Sequence, residues 1–502
     1  MRSHKALRAI GALLLCSFGF LLARSHPYQE HLYLVSAGGC NLETSQLEPA
    51  SGATRGAVVL FHGLAANKKL MSYLAQGFVA QGLKVFTPDL PGHGRTSGRF
   101  SPARAEQCAS SLVLELMARG LITPQQTILA GHSMGGAIAI RLAARIPNAG
   151  VIAISPAPMK PNSEAQPEML LYTNPPALPK NSLIIAGGLE LKSMREAAAD
   201  LQASRNDGTT KLSILPWATH VSLLFDPRTA RASQEWAARI LHLEGTPAPP
   251  SSRGLLGALA GFLGLLLITA PFLRELCGNT KSPRPPESVS LINAWRSLTE
   301  LTAASLLAVV ILHFVNPLHA LRLFEGDYLA GFLLLVGASL LLINARAVKA
   351  ARPTKAAPIL AAAFAALILL LLITAWFDLT FSQAWLTAAR WARFPAVLLA
   401  LLPYHFAEEL FVGPLAQRSA APRLGLALSF RLAMWLVLLF AIFYLHSGEV
   451  LLALLAPSLA LFNLLQRAGS DCVRGVTGSP TAAALFGAIL QAGFCLVIFP
   501  VT

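Results

Sequence analysis

Charge is what this chain has least of. Asp, Glu, Lys and Arg together make up 13% of its 502 residues, against 54% hydrophobic ones. That is too little charge to clothe an all-soluble chain of this length, so part of it belongs in an apolar medium. Acidic residues are scarcer than basic ones, 25 against 40, for a formal net charge of +15. The basic excess is not interleaved with aromatics as on a nucleic-acid surface, and no nucleic-acid partner is expected. Cysteine is also sparse. The six present form no Cys-x-x-Cys and no zinc-ligand spacing, which excludes a dithiol redox motif and a zinc-ribbon type of site. Cys40 and Cys108 are available to form a disulfide, although spacing alone does not bring them together.

The apolar excess is concentrated at the two ends. Ala6 to Ala23 is an apolar run behind Arg2, Lys5 and Arg8, and Ala23-Arg24-Ser25 makes a poor cleavage site, so residues 1–24 read as an uncleaved anchor. From Leu255 onward apolar segments recur near Leu255–Leu273, Leu301–Val315, Tyr328–Ile343, Ile359–Trp376, Phe394–Leu415, Leu432–Leu445, Val450–Leu465 and Thr481–Phe499. These predict a membrane domain of about eight helices over residues 254–502. A Pro-rich linker, 246–253, separates it from a less apolar stretch, 25–245.

Basic residues in the connections set the orientation. With the N-terminus inside, about 16 of them fall on the inner side, Arg431, Arg467 and Arg474 included. Only Arg322, Arg390 and Arg393 fall outside. Residues 25–245 are then expected on the outer, periplasmic or extracellular side of the cell membrane. Most of the net charge is thereby explained as membrane-orienting charge.

Within 25–245 the most informative stretch is Thr127-Ile128-Leu129-Ala130 followed by Gly131-His132-Ser133-Met134-Gly135-Gly136. An apolar run feeds Gly-x-Ser-x-Gly, and Ala137 to Ile140 continue as a helix. This is the strand–turn–helix setting in which a serine is held on a strained turn with its hydroxyl clear of the sheet. The Met134 N–H, at the helix start, is placed to stabilise an oxyanion. Upstream, Ala57-Val58-Val59-Leu60-Phe61 reads as a buried parallel strand and ends in His62-Gly63-Leu64, where the Leu64 N–H would be a second donor. Asp89-Leu90-Pro91-Gly92-His93-Gly94 follows the next strand, with Asp89 and His93 read as loop-structuring residues. Downstream, Leu183–Ala186 leads to Gly187-Gly188-Leu189-Glu190, and Leu212–Leu215 leads to Trp217-Ala218-Thr219-His220. Ser133, Glu190 and His220 thus stand in the order nucleophile, acid, base, with Asp200 and Asp207 as other acids within range.

Taken together, these motifs resemble an α/β-hydrolase of the monoacylglycerol lipase and serine-aminopeptidase-like group over roughly residues 30 to 243. The resemblance implies an α/β fold with a doubly wound, mostly parallel sheet, joined here to an all-α membrane domain. It implies a serine hydrolase that cleaves a carboxylic ester of a lipid-like substrate through an acyl-enzyme. No metal or organic cofactor is implied. The family usually carries Asp where Glu190 stands, and a longer side chain must fold back to reach His220. Proline-releasing aminopeptidases share the motifs but usually carry a larger helical cap. Here the insert after Val151–Ile154 runs only from Ser155 to Asn181, with Met159, Met169, Leu170, Leu171 and Tyr172 as apolar lining. A serine peptidase, or a transport or sensory membrane protein with a hydrolase-like regulatory domain, are the other function classes in view.

One anomaly interrupts the membrane half. Pro403-Tyr404-His405-Phe406-Ala407-Glu408-Glu409 places ionisable groups inside an apolar span. A Glu-Glu pair beside a histidine is similar to the intramembrane metalloproteases that process prenylated proteins. Their pattern wants Arg four residues later, where Gly413 stands, and no Phe-x-x-x-His surrounds His446. A charge pair between helices, or a membrane-interface segment, is the expected role.

Overall fold

The computed structural model describes residues 2–24, 28–50, 54–159, 171–172, 175–205, 207–245, 247–278, 291–350, 355–415 and 420–502. They form two compact units. One comprises Phe20–Ala258 with two short later segments, Phe377–Gln383 and Pro500–Thr502. The other comprises Met1–Gly19, Leu259–Trp376 and Ala384–Phe499.

The first unit is built on an eight-stranded sheet in the order β1-β2-β4-β3-β5-β6-β7-β8. Its strands are β1 (Tyr28–Ala37), β2 (Cys40–Pro49), β3 (Ala57–Phe61), β4 (Lys84–Pro88), β5 (Thr127–His132), β6 (Gly150–Ile154), β7 (Ser182–Gly187) and β8 (Thr210–Leu215). Pairing is antiparallel for β1–β2 and β2–β4 and parallel from β4 through β8. The parallel strands are the ones legible as continuous apolar runs, because helices cover both of their faces. Every residue of β3, β5, β6 and β7 is buried. The β1–β2 hairpin carried no such signal, since β1 is exposed along most of its length. Its two-residue turn, Gly38-Gly39, has φ of 57° and 73°, which glycine adopts without the clash a Cβ brings.

The N-terminal helix is α1 (Arg2–Arg24), most of it in the second unit, and the helices of the first unit are α2 (Ser72–Ala80), α3 (Pro102–Ala118), α4 (Met134–Ala143), α5 (Lys192–Ala203) and α6 (Pro227–Leu241). Starts are marked chemically. Ser101 caps α3 and Asp226 caps α6, each followed by proline at the first helical position. Cys40 and Cys108 form a disulfide that ties the start of β2 to α3. Residues 160–170 and 173–174 of the Ser155–Asn181 insert, Met169 and Leu170 included, lie outside the described residues. Met159 and Tyr172 are buried.

The second unit is helical: α7 (Arg253–Gly278), α8 (Leu291–Phe314), α9 (Gly326–Ile343), α10 (Ala345–Ala350), α11 (Ala356–Thr380), α12 (Ala388–Leu415), α13 (Ala420–Tyr444), α14 (Val450–Leu454), α15 (Ala456–Thr477) and α16 (Pro480–Ile498). Among the described residues six helices are long and apolar enough to cross a bilayer: α7, α8, α9, α11, α13 and α16. The expected segment Val450–Leu465 is instead broken at Leu455, ahead of Pro457, and its helix continues to Thr477.

The Glu408–Glu409 anomaly resolves into a buried ion network. Glu408 accepts from Arg431 through both carboxylate oxygens at 2.7 Å, and from Arg467 at 3.0 Å. Glu409 pairs with Arg467 and with Arg474 at 2.8 Å, and Arg467 also holds Asp471 at 2.6 Å. Arg431, Arg467 and Arg474, counted above as inner connection charges, therefore lie within α13 and α15 as partners of α12. Arg390 is likewise buried in α12, where it donates to the Leu496 and Val497 carbonyls.

Candidate active site

The site is assembled at the C-terminal ends of β3, β5, β6, β7 and β8, where parallel strands hand over to loops and helices. Ser133 caps α4 with φ 52° and ψ −118°, a conformation that costs on the order of 1–3 kcal/mol for a residue with a Cβ. The flanking glycines show why the turn tolerates nothing larger. A Cβ at Gly131 would sit 2.2 Å from the Gly135 carbonyl oxygen, and one at Gly135 would sit 2.3 Å from that of Phe61. Gly63 packs just as closely. A Cβ there would lie 2.9 Å from His132 Nδ1 and 3.1 Å from Ser133 Cβ. The segment after β3 is thus pressed against the serine turn. Among the described residues, neither the Leu64 nor the Met134 N–H is hydrogen-bonded.

His220 and Glu190 meet. His220 Nδ1 lies 2.8 Å from Glu190 Oε1, and Glu190 Oε2 accepts the Gly187 N–H at 2.7 Å, which folds the longer side chain back. Both side chains are nearly enclosed, at 10% and 1% exposure. Asp207, by contrast, is spent on a surface turn with Arg205 and Thr209, whose hydrogen bonds hold its pKa down at about 2. Asp200 belongs to the α5 helix.

Sequence reasoning missed Ser155. It follows β6 with φ 43°, its hydroxyl donates to Glu190 Oε1, and its Oγ lies 2.8 Å from His220 Nδ1. The only signal was a polar residue before proline at the end of a buried strand, Ile154-Ser155-Pro156. Ser155 occupies the same ring nitrogen as the carboxylate. With two acceptors at Nδ1 the proton belongs there, and Nε2 is left bare as an acceptor. No hydrogen bond joins Ser133 Oγ to His220 among the described residues. His132 was also missed as a contributor. Its Nε2–H donates to the His220 carbonyl at 2.9 Å, and the two rings are 4.6 Å apart. Burial holds the His132 pKa well below its usual value, so this ring stays neutral.

His62, Asp89 and His93 brace the surrounding loops. His62 accepts the Leu90 N–H at 2.9 Å through Nε2, and burial pushes its pKa down to about 4. Asp89 accepts the Lys68 and Arg95 N–H groups at 2.8 and 3.3 Å. Burial raises its pKa to about 6, against the pull of Lys68. His93 Nδ1 is 2.9 Å from the Pro91 carbonyl oxygen.

Residues 52–246 match the family described as serine aminopeptidase, S33. The monoacylglycerol lipase of Mycolicibacterium smegmatis is 38% identical over 95 residues, covering 18% of this chain and 34% of that one. The human monoglyceride lipase is 32% identical over 137 residues, covering 26% and 45%. The chain therefore spans about a third to a half of the length of these curated relatives. A solved esterase/lipase from an uncultured bacterium aligns at 17% identity and TM-score 0.35, over 46% of this chain and 90% of that one. Strand order, elbow and sequence matches agree, and residues 52–246 are an α/β-hydrolase domain of the monoacylglycerol lipase and serine-aminopeptidase-like group.

Proposed function

We propose that the protein is a membrane-bound serine hydrolase that cleaves the ester of a lipid-like, monoacylglycerol-like substrate, with Ser133 as nucleophile. The observation that carries this reading is the His220–Glu190 pair, with Nδ1 occupied, together with a strained Ser133 turn and two N–H groups that are unpaired among the described residues. In this mechanism Ser133 Oγ attacks the acyl carbonyl while His220 Nε2 takes its proton. The oxyanion of the tetrahedral intermediate accepts from the Leu64 and Met134 N–H groups, pre-oriented where charge develops. Glu190 and Ser155 keep the proton on Nδ1 and stabilise the imidazolium. Collapse expels the alcohol, which takes the proton from Nε2. Water, activated by the same nitrogen, then attacks the acyl-enzyme and releases the acid, restoring Ser133.

The names of the relatives support an ester of the monoacylglycerol kind, and the short insert with buried Met159 and Tyr172 suits an apolar chain. The family description supports a second reading, a peptidase releasing an N-terminal residue. Purified full-length protein should hydrolyse monoacylglycerols and short-chain esters and label with a fluorophosphonate, and Ser133→Ala should do neither. Amide turnover without ester turnover would favour the peptidase.

We also place the hydrolase domain on the outer side. The Cys40–Cys108 disulfide suits an oxidising compartment, and residues 377–383 and 500–502, which belong to its compact unit, fall outside by the basic-residue pattern. In intact cells a membrane-impermeant maleimide should label Lys192→Cys and not Lys349→Cys. The reverse pattern would invert the assignment.

A further inference from the structure

The unit that carries the site is completed by residues from far along the chain. Asn67 is the node. It closes the segment that begins at His62 and contains Leu64, and it caps the following turn by accepting the Lys69 N–H at 3.1 Å. The same Oδ1 accepts the Gln383 N–H at 3.3 Å, and its Nδ2 donates to Ser382 Oγ at 2.8 Å. Asn67 is buried, at 6% exposure, so these partners are not exchanged for water.

Four further contacts tie the same segment to the unit. Arg95, in the loop after β4, pairs with Asp378 at 2.5 Å, and Lys69 Nζ donates to the Asp378 carbonyl. Gln383 Nε2 donates to Glu43 at 3.3 Å. On the histidine side the Phe381 ring lies 5.4 Å from that of Phe225, five residues past His220. One short segment thus touches the oxyanion loop, the loop after β4 and the chain behind the base.

From this we infer that residues 378–383 are a positioning element of the hydrolase site, acting through Asn67 to fix where the Leu64 N–H points. The inference rests on the proposed roles of Ser133 and Leu64. Because His62 anchors one end of the oxyanion loop on Leu90, Asn67 and its partners are what fix the other end. A donor that strays by about an ångström loses much of its hold on the developing oxyanion, worth up to roughly a hundredfold in rate. It barely changes ground-state binding, since the charge is absent there.

The test uses full-length protein in detergent with p-nitrophenyl butyrate. Asn67→Ala should lower kcat roughly tenfold or more with KM within about twofold, and slow fluorophosphonate labelling in the same ratio. Asn67→Asp keeps acceptors for the Lys69 and Gln383 N–H groups and for the Ser382 hydroxyl, and should return kcat to within about threefold of wild type. Ser382→Ala, on the far segment, leaves the Asn67 Nδ2–H without its acceptor and should lower kcat without changing KM when assayed well below its unfolding temperature. Wild-type kcat in both Asn67→Ala and Ser382→Ala would overturn the inference. So would a loss that follows thermal stability and is not rescued by Asn67→Asp. A wild-type protein that neither hydrolyses esters nor labels at Ser133 would fail the hydrolase reading itself, a result distinguishable from either of these.

Discussion

Replacing Ser155 by alanine separates the two serines that approach His220. The hydroxyl makes two interactions at once, donating to a buried carboxylate and accepting from the imidazole 2.8 Å away. A buried hydrogen bond to a charged group contributes about 1.5–3 kcal/mol. Glu190 keeps its bonds to His220 and to the Gly187 N–H in the variant, so the ring retains its tautomer and loses only part of its restraint. If most of that energy appears at the transition state, kcat falls about tenfold to hundredfold. Loss of the nucleophile costs on the order of a millionfold in comparable enzymes. The assay is kcat and KM on p-nitrophenyl butyrate together with the rate of fluorophosphonate labelling, for Ser155→Ala and Ser133→Ala side by side. The expected result is slowed but complete labelling in the first and none in the second. Labelling abolished in Ser155→Ala and retained in Ser133→Ala would make Ser155 the nucleophile and reduce the Gly131–Gly135 turn to a structural role.

Glu190→Gln should lower kcat by about a thousandfold or more, because the amide no longer specifies the proton on Nδ1, while Asp207→Asn stays near wild type. Acidification below pH 6.5 should destabilise the hydrolase unit. His62, pushed down to about 4, holds fewer protons folded than unfolded between pH 6.5 and 4, and its contribution of about 3 kcal/mol is lost across that window. Asp89, raised to about 6, works in the opposite sense between pH 6 and 3.8, so Asp89→Asn should make thermal stability fall more steeply from pH 7 to 4.5 than in wild type. Glu408→Ala with Glu409→Ala should sharply reduce the yield of folded protein, since Arg431 is left buried without a carboxylate at about 3–5 kcal/mol and Arg467 keeps only Asp471. Whatever folds should keep kcat on a soluble ester within a few-fold.

How far each feature was legible in the sequence follows from the range of its cause. The Ser133 turn could be read directly, since Gly131 clashes with Gly135 four residues on and the strand–turn–helix pattern is contiguous, although the Phe61 carbonyl that demands Gly135 lies far back in the chain. Glu190 was readable by its place after an apolar strand, although the reach to His220 depended on a fold-back that only Gly187 explains. Ser155 takes its role from partners 35 and 65 residues away, and nothing in Ile154-Ser155-Pro156 announces them. The arginines show the same limit. Composition marked Glu408 and Glu409 as out of place, but a basic residue near a helix end looks alike whether it orients a helix or neutralises a buried acid. Asn67 and Ser382 lie 315 residues apart and belong to no motif.

The reach of the hydrolase unit to Val501 also sets an order of assembly. The Phe100 N–H donates to the Val501 carbonyl and the Val501 N–H donates to that of Gly92. These contacts close over about 400 residues of chain, an entropic penalty that grows only slowly with length. The kinetic consequence is larger than the thermodynamic one. At ordinary rates of synthesis the helical half takes on the order of tens of seconds to emerge after the linker. Through that interval the loop after β4 and the turn at Asn67 wait without their distant partners. The nascent hydrolase is therefore an incomplete one, and its final tightening is timed by the birth of the last helix.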